Sequence, residues 1–251
     1  MEPWLKTINK FLKNWEDKDY FEGAIVCGSA VNGTATKNSD IDLHIILSDK
    51  IKWRERGNTI VDGILIEYFA NPIKQHEKYY SVQAKEGRRA NARMIATGKV
   101  ISDRSGHVAK MQMRARTIMQ QKFKAVGGID LENLKYFLWD DLDNLKGLYL
   151  EKSPNFTFFY YLVLGNIIKS YAKFLGLELP PLSKIFRYLN DQKFPKKYSI
   201  QPLKDKQFIK LVDSCLLGSG LVTIEKLAAY VLNKMGGFII NGWKIRTKAE
   251  V

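Results

Sequence analysis

Two carboxylates, Asp40 and Asp42, stand at the start of an apolar run that ends near Leu47. Side chains of a strand alternate between faces, so residues i and i+2 project from the same side. Two hard oxygen donors side by side suit Mg²⁺, which takes few carboxylates and completes its shell with water and substrate phosphate. Upstream, Gly28 and Ser29 close another apolar segment, Ala24-Ile25-Val26-Cys27. Glycine lets backbone approach a phosphate closely, and a serine hydroxyl with loop N–H groups can hold it. Lys37 in the intervening loop either touches phosphate or extends into solvent.

The elements that must position these residues can be read from periodicity. Residues 4–15 carry Trp4, Leu5, Ile8, Phe11, Leu12 and Trp15 at spacings of three and four, an amphipathic helix. Strands are expected at about 24–27, 41–47 and 64–70, with Asn71-Pro72 ending the third. The glycine loop is expected to open a short helix. A polar helix from about 73 to 96, a short strand near 98–103 and a helix from about 107 to 123 follow. Gly127-Gly128 marks a boundary between residues 1–126 and 127–251. Beyond it the pattern is helical: 131–150, 156–175, 182–190, 206–217 and 221–235, with a basic loop-like stretch at 191–206.

The chain has 251 residues and a formal net charge of +14. Residues 1–110 hold 18 Lys+Arg against 14 Asp+Glu, a balance of +4, which leaves 40 − 18 = 22 against 26 − 14 = 12, or +10, for residues 111–251. A basic second half attracts polyanions such as nucleoside triphosphate or RNA, or simply keeps the surface solvated. No apolar run reaches a membrane span, and the N-terminus lacks the apolar core of a signal peptide. Cys27 and Cys215 form no disulfide framework, and Cys27 is expected to be a buried thiol. A reducing cytoplasm is the simplest setting.

The pattern of Gly28-Ser29, a loop with Gly33, then Ser39-Asp40-x-Asp42 between apolar flanks resembles the polymerase-β-like nucleotidyltransferase superfamily. An α/β half followed by a helical half is similar to its antibiotic-modifying branch, the aminoglycoside and lincosamide nucleotidyltransferases. The resemblance implies an α+β catalytic domain, a mixed sheet flanked by helices, followed by an all-α bundle. It implies transfer of a nucleoside monophosphate, AMP from ATP, to a hydroxyl of a small molecule, with Mg²⁺ in a two-metal site. The alternatives are transfer to RNA or protein, or a non-catalytic nucleotide-binding relative. Monomer and homodimer are both compatible with it.

The same resemblance assigns roles. Asp40 and Asp42 would hold the metal on the triphosphate. A third carboxylate is required on the neighbouring strand. Glu67, alone in the apolar run 63–69, is the choice, because a carboxylate there needs a partner or a metal; the alternative, Asp62, precedes Gly63 and reads as a turn residue. Gly28, Ser29, Gly33, Lys37 and Ser39 would bind the nucleotide. A general base would come from Asp140, Asp141 and Asp143, placed near the start of a helix, and Asp141 is the choice; helix-dipole stabilisation and solvent exposure are the plainer reading of the three. His44 shares a strand face with Asp40 and Asp42 and reads either as a nucleotide contact or as a packed, hydrogen-bonded residue. Arg88, Arg89 and Arg93 either clamp triphosphate or face solvent. The aromatic run Phe156 to Tyr161 reads mostly as core. Charge bears on the acceptor: a strongly basic chain disfavours a polycationic aminoglycoside and suits a neutral or singly charged molecule better.

Overall fold

The structure, a computed structural model, describes residues 3–33 and 39–248, in two compact units, residues 1–121 and 122–251. In the first unit, helix α1 (Pro3–Glu16) precedes strand β1 (Phe21–Cys27), a 3₁₀ turn (Gly28–Ala30) and strand β2 (Ile41–Leu47). A hairpin of β3 (Glu55–Val61) and β4 (Ile64–Pro72) follows. Then come α2 (Ile73–Lys85), α3 (Ala90–Thr97), β5 (Lys99–Asp103) and α4 (His107–Gln120). The sheet order is β3-β4-β2-β1-β5. It is mixed: β2 and β4 run parallel, and the other pairs are antiparallel.

The central strand β2 is apolar at nearly every position because both of its faces are covered. On one face Ile41, Leu43, Ile45 and Leu47 join Ala24 and Val26 of β1 and Ile8, Phe11 and Leu12 of α1. On the other, Ile25, Cys27 and Ile46 meet Tyr80 of α2, Ala92 and Ile95 of α3 and Met111 and Ala115 of α4. Alternation puts Asp42 and His44 on this second face. Asp103 caps α4, accepting from the N–H groups of Val108 (3.2 Å) and Ala109 (2.9 Å).

Three expectations need correction. Strand β3 was not anticipated. It is an edge strand with charged and exposed residues, so its apolar signal is weak, yet Asp62-Gly63 is a hairpin signature and both residues have positive φ (51° and 76°). Asp62 is therefore a turn residue, as its place before Gly63 suggests. The expected helix over 73–96 is two helices, interrupted at Glu86-Gly87, where Gly87 adopts φ +69° and the Arg88 N–H bonds Gln83 O at 2.8 Å. Residues 193–197, expected as loop, form a short helix.

The second unit is helical: α5 (Gly128–Leu150), α6 (Phe156–Phe174), α7 (Ile185–Asn190), α8 (Lys193–Lys197), α9 (Lys206–Leu217) and α10 (Leu221–Lys234). Its core joins Leu138 and Leu145 of α5, Tyr160, Val163 and Ile167 of α6, Phe208 and Val212 of α9, and Ile224 and Leu227 of α10. Of the aromatic run, Tyr160 is fully buried, while Phe158 and Tyr161 are exposed. No helix among the described residues is long and apolar enough to cross a membrane.

Asp205 ties this bundle together. Its Oδ1 accepts from the Phe208 N–H (3.0 Å) and caps α9, and the hydroxyls of Tyr171 (2.5 Å) and Tyr230 (2.9 Å) donate to the same carboxylate. Burial alone would raise its pKa, but these bonds outweigh it and hold the carboxyl below the usual range. Asp205→Ala removes the cap and strands two tyrosine hydroxyls, and is expected to cost about 2–4 kcal/mol in urea denaturation followed by circular dichroism.

Candidate active site

The carboxylates are set by backbone register. In the parallel pair, Asp42 of β2 lies opposite Glu67 of β4, and in the antiparallel pair it lies opposite Cys27 of β1. Paired residues share a face, so Asp42 and Glu67 project together on the side of α2 and α3. Asp40 and Ser39 lie just before β2, both half-buried. Ser29 sits in the 3₁₀ turn between Gly28 and Ala30, and the N–H of Asn32 bonds Gly28 O at 3.2 Å. Gly33 has φ +66° with open space around its α-carbon. Lys37 lies outside the described residues.

Gly28 is required twice over. Its φ is +71°, and a Cβ there would overlap Oδ2 of Asp42. The turn that carries Ser29 is thus pressed against the carboxylate, and only glycine allows it.

Glu67 meets the need for a partner with a cation from its own sheet. Arg56 of β3 donates to Glu67 Oε1, and its guanidinium also lies 4.9 Å from the centroid of Phe69. Among the described residues no group of three His, Cys, Asp or Glu is arranged to hold a metal ion. Asp40 and Asp42 are nonetheless hard oxygen donors, and the Gly28 turn lies directly against Asp42 Oδ2. That fit rests on two carboxylates, while Glu67 is engaged by Arg56.

His44 is packed, but not in the hydrogen-bonded manner expected. It stacks on Phe69 (centroids 5.2 Å, interplanar 21°) near His76 (5.7 Å), and neither ring nitrogen has a hydrogen-bond partner. His76 Nδ1 donates to Asn91 Oδ1 at 3.0 Å. Burial, with His76 close by, pushes His44 down to about 3. Burial pushes His76 down to about 4 against the opposing effect of its bond to Asn91. Both rings are therefore neutral at pH 7.

Beside these histidines a cavity of about 460 Å³ opens between the sheet and α2 and α3. Sequence reasoning missed it, together with Arg56. The Asp62-Gly63 hairpin signal would have placed β3 next to β4 and brought Arg56 into view.

Arg89 and Arg93 lie at the start of α3, and Arg89 Nη1 donates to Met119 O at 3.2 Å. Asp140, Asp141 and Asp143 are not near a helix start but in the middle of α5, where the N-terminal dipole has faded. There Asp141 Oδ2 accepts from Asn166 (2.9 Å) and Asp140 Oδ2 from Asn144 (3.3 Å).

Residues 8–102 match the family model described as a nucleotidyltransferase domain. The match lies within the first unit and is to a nucleotidyltransferase domain of the polymerase-β-like superfamily, which supports a transferase activity. In fold, the chain is similar to a nucleotidyltransferase-like protein from Exiguobacterium sibiricum 255-15. Identity is 11% and the TM-score 0.50, over 92% of this chain and 73% of that one. No curated protein matches the chain.

Two measurements check this geometry. Gly28→Ala is expected to destabilise the fold by at least about 1–2 kcal/mol from backbone conformation alone. Because the added methyl overlaps Asp42, the Gly28→Ala/Asp42→Ala pair should be more stable than the sum of the single changes in a denaturation cycle. His76 tests the pH response. Its folded pKa lies below the ordinary 6.5, so the unfolded chain takes up the proton first. The stability this neutral ring preserves is present above pH 6.5 and is lost as the pH falls toward about 4. Unfolding free energies of the wild type and His76→Gln should diverge over that window, the wild type losing about 3 kcal/mol more.

Proposed function

We propose that the chain transfers a nucleoside monophosphate, AMP from ATP, to a hydroxyl of a small-molecule acceptor, with Mg²⁺ as cofactor. The observation that carries this reading is the joint placement of Gly28, Asp42 and Glu67: a glycine turn bearing Ser29, pressed on one carboxylate with a second beside it in register. A nucleotidyltransferase domain implies a nucleoside triphosphate and an acceptor.

The reaction is an in-line displacement. The acceptor oxygen forms a bond to the α-phosphorus, the bond to the bridging oxygen breaks, and pyrophosphate leaves with that electron pair. Ser29, the amides of the Gly28–Gly33 turn, Ser39 and Lys37 would grip the outgoing phosphates. Asp40 and Asp42 would hold a divalent cation, and Glu67 would complete the set for the acceptor side. Bound there, the cation neutralises developing charge and lowers the pKa of the acceptor hydroxyl. The protein's share is positioning and fixed electrostatics.

The test is label tracking. The protein is incubated with Mg²⁺ and each α-labelled nucleoside triphosphate, with small hydroxylated molecules, RNA and protein offered separately. Asp42→Asn and Asp40→Ala should lower transfer at least about a hundredfold, as expected when a charge-stabilising group is lost. The +10 balance of residues 111–251 favours RNA as the second reading, and label on RNA would move the conclusion there. Label nowhere, with triphosphate bound, would overturn transfer to every acceptor offered.

A further inference from the structure

We propose that the cavity beside Glu67 is the acceptor subsite and that it takes a small hydroxyl-bearing organic anion, a carboxylate or a phosphate ester, rather than a polycation. This rests on the nucleotidyl-transfer reading and names the chemical class that reading leaves open.

Position comes first. His44 lies two residues beyond Asp42 on β2, and Phe69 two residues beyond Glu67 on β4, with His44 and Phe69 again in register. At about 3.3 Å per residue the cavity begins about 7 Å along the same sheet face from the carboxylates. A molecule of modest size seated there can hold a hydroxyl at the reacting end. The volume, about 460 Å³, falls in the range of small-ligand pockets.

The walls give the chemistry. His44 lines the cavity, is buried, and has two ring nitrogens without partners. A neutral imidazole offers one donor and one acceptor. Leaving both unmet inside a protein is costly, and a polar ligand would supply what they lack. The charge comes from β3 and the residue just before it. Arg54 Nη1 has a neutral partner, the Tyr79 hydroxyl (2.9 Å), which in turn donates to Asn71 Oδ1 (3.3 Å). Arg56 also lines the cavity while its guanidinium reaches Glu67. Glu55 is the one acid in the lining, and its carboxylate accepts from Tyr68, whose ring packs against Phe11 and Trp15 of α1 on the opposite sheet face. The cavity is therefore lined by the Arg54 guanidinium fork, with Arg56 held by Glu67 beside it, and such forks match carboxylate and phosphate oxygens two at a time. A polyamine would meet like charge at short range.

Four probes on one ring frame separate the possibilities: 4-hydroxyphenylacetate, 4-hydroxybenzylphosphonate, the neutral tyrosol and the cationic tyramine. The chain has three histidines, so side-chain NMR of histidine-labelled protein can follow His44 directly, with exposed His107 as internal reference. The two anions are expected to shift His44 and leave His107 unmoved, binding at least about tenfold more tightly than tyrosol, with tyramine weakest. Preference for carboxylate or phosphonate would show which anion the site is built for, and either supports the proposal. Ala90→Phe, which fills the cavity from the first residue of α3, should abolish the His44 shift. Arg54→Gln, at an exposed position, should weaken both anions about tenfold or more and leave tyrosol unchanged. Tyramine binding as tightly as the anions, or a shift that survives both substitutions, would overturn the proposal. So would a silent His44 in protein that still binds Mg²⁺ and ATP; that result would leave nucleotidyl transfer standing, whereas failed label transfer with intact probe binding would sink that reading alone.

Discussion

The parallel pairing of β2 with β4 is the constraint on which the rest depends. Neighbouring parallel strands cannot be joined by a tight turn. The chain leaves β2, runs out to the edge as β3, reverses at Asp62-Gly63 and returns as β4 between them. That path sets Glu67 beside Asp42 and, from the far side, brings Arg56 to Glu67. A slip of one residue between β2 and β4 would turn Glu67 into the apolar layer under α1 and bring Ile66 or Tyr68 out in its place. The register is pinned from that layer: Ile66 and Ala70 are fully buried there, and Tyr68 packs against Phe11 and Trp15.

How much of this was legible in the sequence follows from which residues carry a local signal. β2 could be read to its ends, since an apolar run buried on both faces differs sharply from its surroundings. Gly28 could be marked for its backbone freedom, but not its contact with Asp42, which depends on how the turn folds back over the strand. β3 escaped because an edge strand faces water, and its residues look like loop. With it went Arg56, the partner that explains how Glu67 survives in an apolar run. The break between α2 and α3 lay in a polar stretch whose weak periodicity concealed Gly87. The acids of α5 lie in mid-helix, as the expected span of 131–150 already implied, so their placement near a helix start did not follow from the periodicity.

Burial of neutral histidines behind the carboxylates has a physical logic. Asp42 and Glu67 need polar surroundings, while Ile25, Ile46 and Ile95 on the same side of the sheet need dry ones. His44 and His76 stand at that border, uncharged, with ring faces that pack like apolar groups and nitrogens that can still meet a polar molecule. Phe69 continues the arrangement, with His44 stacked on it and the Arg56 guanidinium also over its ring. The transition from charge to oil is made in steps along two strands.

Cys27 occupies the same border from the other side. It is opposite Asp42 in register, is covered by α3, and its Sγ donates to Met94 O at 3.1 Å. Burial, with the charge of Asp42 added, pushes its thiol well above the ordinary range. A thiol so placed is inert until α3 lifts from the sheet. Alkylation of Cys27 therefore keeps time for the breathing of the helical layer, and the sheet carries, one strand away from its carboxylates, a chemical clock for its own opening.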